Sequence, residues 1–173
     1  MWIRILLASV FVLLASCASN GRNYIEPEGG PYGQSTFEHE TAVPGIGVLA
    51  HEGENCVNPR VVIAQEEKNV QRTYKFPANE LVTLFVRAGK ESTPVESGWN
   101  CVTGGSFRPV EGGRYRFKMS RAANQCHLVA YQLKRNDQWG AIPDYRERKY
   151  RTPSDDSEGY CEPSKSVVGK NTN

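Results

Sequence analysis

The sequence predicts an all-β protein, an antiparallel β-sandwich of about seven short strands braced by disulfides. Three observations carry that expectation. From Gly45 onward, runs rich in Val, Ile, Thr, Tyr and Phe recur between turn signals at the spacing of sandwich strands. No stretch of ten or more residues keeps a clear 3.6-residue apolar period, so long helices are not expected. Cys56, Cys101, Cys126 and Cys161 are distributed through the same region with no CxxC or zinc-type spacing. A length of 173 residues with 39% hydrophobic side chains fits one ordinary domain.

The N-terminus reads Met1-Trp2-Ile3-Arg4, one positive charge, then an apolar run from Ile5 to Leu14. That run is about half the roughly 20 residues a spanning helix needs, and the order is that of an export signal. It ends in Leu14-Ala15-Ser16-Cys17, which resembles the lipobox of bacterial lipoproteins. The resemblance implies cleavage after residue 16, acyl chains of the palmitate kind on Cys17, and a lipid anchor that holds firmly because it has more than one chain. Ala18 after the cysteine resembles outer-membrane cargo, facing the periplasm or the cell surface. In an oxidising compartment the remaining four cysteines are expected to form two disulfides. Of the three possible pairings, Cys101 with Cys126 is favoured, because the strand after Trp99 and the strand at Cys126 are expected to be neighbours. Cys56 with Cys161 then pins the two ends of the domain.

The expected organisation is a signal peptide at 1–16, the acylated Cys17 and a flexible acidic tether at 17–45, a sandwich domain at 46–152 and a polar tail at 153–173. The stretch Ala18–Gly45 is rich in Gly and Pro and lacks an apolar period. Its 28 residues would span about 30 Å as a flexible chain. Ala18–Asn55 carries net −5 and Cys56–Asn173 net +6, which suggests a basic body on an acidic leash.

Seven strands are expected in order: Gly47–Ala50, Pro59–Ala64, Thr73–Phe76, Leu81–Arg87, Trp99–Val102, Gly113–Met119 and Cys126–Leu133. Val61-Val62-Ile63 and Leu81–Val86 are continuous apolar runs, the pattern of central strands covered on both faces. Residues 66–75 suit a short helix or a strand. Arg114-Tyr115-Arg116-Phe117-Lys118-Met119 alternates, placing three apolar side chains inward and three cations outward. It pairs with Cys126–Leu133 in a hairpin whose loop is expected to be five or six residues long. Thr103-Gly104-Gly105-Ser106 and Glu111-Gly112-Gly113-Arg114 match no phosphate-cradling pattern and read as turns.

The segment Phe85–Lys90, Cys101, Ser106-Phe107-Arg108-Pro109, Gly112–Tyr115 and Cys126 resembles a pattern in small envelope lipoproteins of mostly unassigned function. What that resemblance implies is a compact immunoglobulin-like or transthyretin-like sandwich, without a catalytic residue.

No nucleophile elbow, HExxH helix or phosphate loop is present, so neither catalysis nor a cofactor or metal site is expected. Cys126 and His127 are adjacent, but neighbours on a strand face opposite ways and do not form a dyad. His39 and His51 sit beside glutamates and are expected to be exposed. Two features suit recognition. One is the stripe Arg114, Arg116 and Lys118, extended by Arg108. The other is Lys134–Arg151, where Trp139, Tyr145 and Tyr150 are interleaved with Arg146, Arg148, Lys149 and Arg151, a mixture of aromatics and cations suited to stacking and anion contacts. Solvated charges over packed aromatics are the ordinary reading of both. The expected role is a lipid-anchored, non-catalytic binding or structural component of the cell envelope. Its expected partners are the membrane, through Cys17, and an envelope protein or anionic envelope component, not nucleic acid. An inhibitor or immunity protein directed against an envelope hydrolase is the alternative.

Overall fold

The computed structural model describes residues 22–39, 43–66, 71–122, 125–154 and 159–162. The eleven strands are β1 Arg22–Asn23, β2 Tyr32–His39, β3 Ile46–Glu52, β4 Val57–Glu66, β5 Arg72–Pro77, β6 Val82–Lys90, β7 Trp99–Phe107, β8 Arg114–Ala122, β9 Gln125–Leu133, β10 Trp139–Ala141 and β11 Arg146–Arg148. They form a six-stranded sheet in the order β1-β4-β3-β6-β7-β11 and a five-stranded sheet in the order β10-β9-β8-β2-β5. All seven expected segments are strands, and residues 66–75 have strand at both ends. Pairing is antiparallel except for β1 with β4 and β2 with β8, which run parallel, so both sheets are mixed.

The two inner faces meet over one core. Phe107 of the first sheet lies 5.0 Å from Tyr115 and 5.3 Å from Phe117 of the second, and Phe117 stacks on Phe37 at 5.4 Å. Tyr115, Phe117 and Met119 are all buried, as their alternation requires. β6 is buried from Val82 to Val86, with Leu84 and Val86 inward and Phe85 in a second cluster on the other side of the sheet. That second cluster explains the unbroken apolar run: the C-terminal segment covers the outer face of the first sheet. Tyr150 meets Phe85 edge to face at 5.1 Å, and Cys161, joined to Cys56, completes the cover.

The disulfides are Cys56–Cys161 and Cys101–Cys126, with Cα atoms 5.5 and 6.2 Å apart. The second ties β7 to β9 and so cross-links the two sheets.

Several expectations need correction. The tether expected at 17–45 contributes β2, which sits inside the five-stranded sheet between β8 and β5. Its inward positions are Gly33, Ser35 and Phe37, all buried, so the strand has a strict period of two but only one large apolar residue to reveal it. Thr103-Gly104-Gly105-Ser106 is not a turn but the middle of β7. A side chain at Gly104 would meet the Leu84 carbonyl oxygen at 2.1 Å, and one at Gly105 would meet the Tyr145 ring at 2.5 Å, so close approach explains both glycines. In the β8–β9 hairpin Ala122 pairs with Gln125, leaving a two-residue connection rather than five or six. The acidic N-terminal part is not a leash on a basic body. Glu38 pairs with Arg116 at 3.2 Å and Glu54 with Arg148, so two of its carboxylates are engaged within the fold. Cys17 and residues 163–173 of the tail lie outside the described residues.

Candidate binding surfaces

Three places concentrate polar and aromatic chemistry. The first is the outer face of the five-stranded sheet. Residues paired across strands share a face, so the register places Gln34, Thr36 and Glu38 of β2 beside Arg114, Arg116 and Lys118 of β8. Lys75 and Thr73 join from β5, and Tyr131 and Val129 from β9. Trp139 at the β10 edge completes the row: the Arg116 guanidinium lies 4.2 Å above its ring, and the Lys75 ammonium lies 4.7 Å above Tyr32. Among the described residues four cations therefore share the face with one carboxylate, Glu38, which accepts from Gln71 at 2.9 Å and pairs with Arg116. Arg108 does not extend this stripe. It belongs to a loop, with its guanidinium donating to the Asn79 carbonyl and its amide to Asp144.

The second is a cleft of ≈ 790 Å³ where β7, β9 and the chain leaving β11 converge. Thr103, Cys126 and Leu128 line it from between the sheets, and Val102 and Tyr150 from the outer side of the first sheet. Tyr145 and Glu147 close one end, and burial together with the nearby Glu147 carboxylate raises the Tyr145 phenol above its ordinary range.

The third is a buried polar network beneath the C-terminal cover. Thr83 and Ser106 hydroxyls are 2.6 Å apart, Arg148 Nε donates to Ser106 Oγ at 2.9 Å, and Arg148 Nη2 reaches Glu54. His51 is 2% exposed, between Phe85 at 5.4 Å and Tyr160 at 5.1 Å. Its Nδ1 is 3.0 Å from the Cys56 carbonyl, which can only accept, so Nδ1 carries the proton. Nε2 is buried without a partner. Burial lowers its pKa to about 4, against the smaller opposing effect of the Cys56 carbonyl. The expectation that His51 is exposed is therefore overturned.

The seven residues named in Lys134–Arg151 do not form one surface. Trp139 belongs to the outer face of the five-stranded sheet. Tyr145 packs against the main core. Arg148 is buried in the network, and Tyr150 covers Phe85. Arg151 donates from Nε to the Gly159 carbonyl at 3.1 Å, and exposed Lys149 pairs with Glu162 at 3.5 Å. Arg146 is exposed beside Ser106 at the sheet edge. Strand direction alternates, and the chain crosses from one sheet to the other between β10 and β11, so adjacency in sequence dispersed them. Tyr32, Lys75 and Tyr131 belong to the assembled face instead. Only the alternation of β5 and β9 hints at them in the sequence. His127 is exposed while Cys126 is bonded to Cys101, so no thiol–imidazole dyad forms. Among the described residues no three His, Cys, Asp or Glu side chains gather as a metal-holding group. Comparison with models of known families, with curated proteins and with solved structures finds no match to the chain.

Proposed function

We propose that this chain is a lipoprotein anchored through Cys17 in the bacterial outer membrane, with an immunoglobulin- or transthyretin-type sandwich that binds an anionic component of the cell envelope without catalysis. The observation that carries the binding part is the outer face of the five-stranded sheet, where Lys75, Arg114, Arg116 and Lys118 lie among Tyr32, Tyr131 and Trp139. Arginine forks match phosphate oxygens, and ring-stacked guanidinium groups are held ready for them at reduced entropic cost. Phosphate-bearing glycan is therefore the preferred ligand over the carboxylates of peptidoglycan. The lipobox supports the address.

The test has two parts. Mass spectrometry of the mature N-terminus should find an acylated Cys17, and Cys17→Ser should release the protein from membranes. Co-sedimentation with lipopolysaccharide should exceed that with peptidoglycan sacculi, and Arg114→Glu with Lys118→Glu should weaken it roughly tenfold or more at physiological salt. Binding that is unchanged in the double variant removes this reading.

One observation favours the alternative, an inhibitor of an envelope hydrolase. The β6–β7 connection is a narrow turn in which Thr93 and Glu96 pair through both backbone amides, presenting Pro94 and a Val95 that is 95% exposed. A tight one-to-one complex with a hydrolase, abolished by Val95→Asp, would establish that role.

A further inference from the structure

The first strand begins close to the proposed anchor. Cys17 precedes β1 at Arg22 by five positions, and a fully extended chain spans at most about 3.6 Å per residue. Arg22 is therefore within about 18 Å of the anchored residue, against about 30 Å expected of a 28-residue tether. The two sheets alone are about 10 Å apart before side chains are added. A sandwich held through Cys17 rests against its own leaflet, and one of its surfaces meets the headgroups. β1 also stands beside the edge of the five-stranded sheet: the Tyr24 ring is 5.0 Å from Phe76, and its hydroxyl donates to the Lys75 carbonyl at 2.7 Å. The leash is long enough to bring Cys17 round to the outer side of β5.

The outer face of the five-stranded sheet has the composition of a membrane interface. Lys75, Arg114, Arg116 and Lys118 share it with Tyr32, Tyr131 and Trp139, and Val129, beside Lys118, is 42% exposed. Cations are drawn to anionic leaflets, and Tyr and Trp settle at headgroup depth. The opposite side of the sandwich differs, because the C-terminal segment covers it and its exposed Lys149 pairs with Glu162 at 3.5 Å. Other occupants of the cationic face fit poorly. Residues 163–173 carry Lys165 and Lys170 and no carboxylate side chain, and a second copy laid face to face would set like charges against each other.

We propose that the outer face of the five-stranded sheet lies on the leaflet that holds the anchor. Lys75, Arg114 and Lys118 meet the phosphates of anionic lipid headgroups there, and Tyr32, Tyr131, Trp139 and Val129 settle among them. The inference rests on the Cys17 anchor and deepens the phosphate reading: the phosphate belongs to lipid of the same membrane. The short leash makes the contact effective, since charge contacts too weak to recruit a free protein are occupied once the face is confined within reach of them.

The chain from Cys17 onward, which holds every described residue, is coupled through the Cys17 thiol to a maleimide lipid, its other four cysteines being paired. Supported bilayers of phosphatidylcholine, with or without about one-fifth phosphatidylglycerol, are then measured by neutron reflectivity. Lying on its face the sandwich makes a layer on the order of 25 Å thick, and standing on the ends of its strands one on the order of 40 Å. The layer should be thin with phosphatidylglycerol, and thicker by roughly 10 Å on phosphatidylcholine alone or in high salt. Lys75→Glu, Arg114→Glu and Lys118→Glu together should give the thicker layer on both bilayers, while Arg146→Glu with Lys149→Glu, on the other sheet, leaves it thin. Equal thickness on the two bilayers, indifference to the triple substitution, or an equal response to the other pair overturns the proposal. The comparison of bilayers uses the unaltered chain, so it does not depend on whether a variant folds. A protein that sediments with lipopolysaccharide yet lies no flatter on phosphatidylglycerol leaves the earlier reading standing and overturns this one. If the native Cys17 is unacylated, the anchor reading fails, and reflectivity through the synthetic lipid still decides whether the face lies on phosphate-bearing lipid.

Discussion

His51 offers the sharpest test of the fold's outer cover, because its environment makes stability depend on pH in a defined direction. The folded protein holds its imidazole neutral down to about 4, whereas the unfolded chain takes up the proton near 6.5. The folded-state pKa is lowered, so the neutral form stabilises the fold fully above pH 6.5, and that contribution disappears as pH falls toward 4. At pH 5 the linkage amounts to about 2 kcal/mol, and across the whole window to on the order of 3 kcal/mol. His51→Phe keeps a ring between Phe85 and Tyr160, removes the titrating group and leaves the Cys56 carbonyl with the Tyr160 amide as its donor, a loss of about 1 kcal/mol or less at neutral pH. Urea unfolding of both proteins, disulfides intact, from pH 7.5 to 4.5 cancels the other carboxylates and histidines between them. The wild type should fall relative to the variant by about 2 kcal/mol on reaching pH 5. Parallel profiles would refute the reasoning, and would mean that water reaches the ring or that the cover opens without unfolding.

Two further outcomes follow from packing. Arg148→Ala should destabilise by about 3 kcal/mol, since it opens a hole beside Ser106 and withdraws a buried donor, whereas Arg148→Met should cost about 1 kcal/mol because Ser106 keeps its bond to Thr83; equal losses in chemical denaturation would count against a role in packing. Gly33→Ala drives a methyl to 2.9 Å from Pro109 and the Tyr115 ring, so a Tm lower by about 2–12 °C is expected in a calorimetric scan, while Gly29→Ala, with nothing within 4 Å, should be neutral.

Seven strands were legible because each carries large apolar or β-branched residues at a period of two or in an unbroken run, a local signal that needs no knowledge of neighbours. β2 was not, because the space it occupies is already filled by other residues. Tyr115 and Pro109 lie where a side chain at position 33 would go, and Phe37 fills the remaining space. Small residues at inward positions look like linker when read alone. Gly104 and Gly105 misled in the same way: their partners, Phe85 and Tyr145, are 19 and 40 positions away in the sequence. The disulfide pairing was accessible because it needed only the neighbourhood of two recognisable strands. The proposed binding face was half accessible. The β8 stripe is visible as alternation, but its companions Lys75, Tyr131 and Trp139 meet it only through strand order.

The charge asymmetry shows how a composition signal acquires its meaning from topology. An excess of carboxylate before residue 56 and of cation after it would favour a disordered, self-avoiding leader if the halves were separate. β2 pairs with β8 and the β3–β4 turn meets β11, so each half folds against the other. Glu38 then offsets one cation of the outer face and Glu54 satisfies the buried Arg148, while Lys75, Arg114 and Lys118 lie on that same outer face. A formal net charge of only +2 thus coexists with one positive face. It also requires the N-terminal strand to be in place before that face has its shape. Deleting residues 22–39 should therefore abolish folding, not merely shorten a linker, because it removes Phe37 from the core and splits β8 from β5.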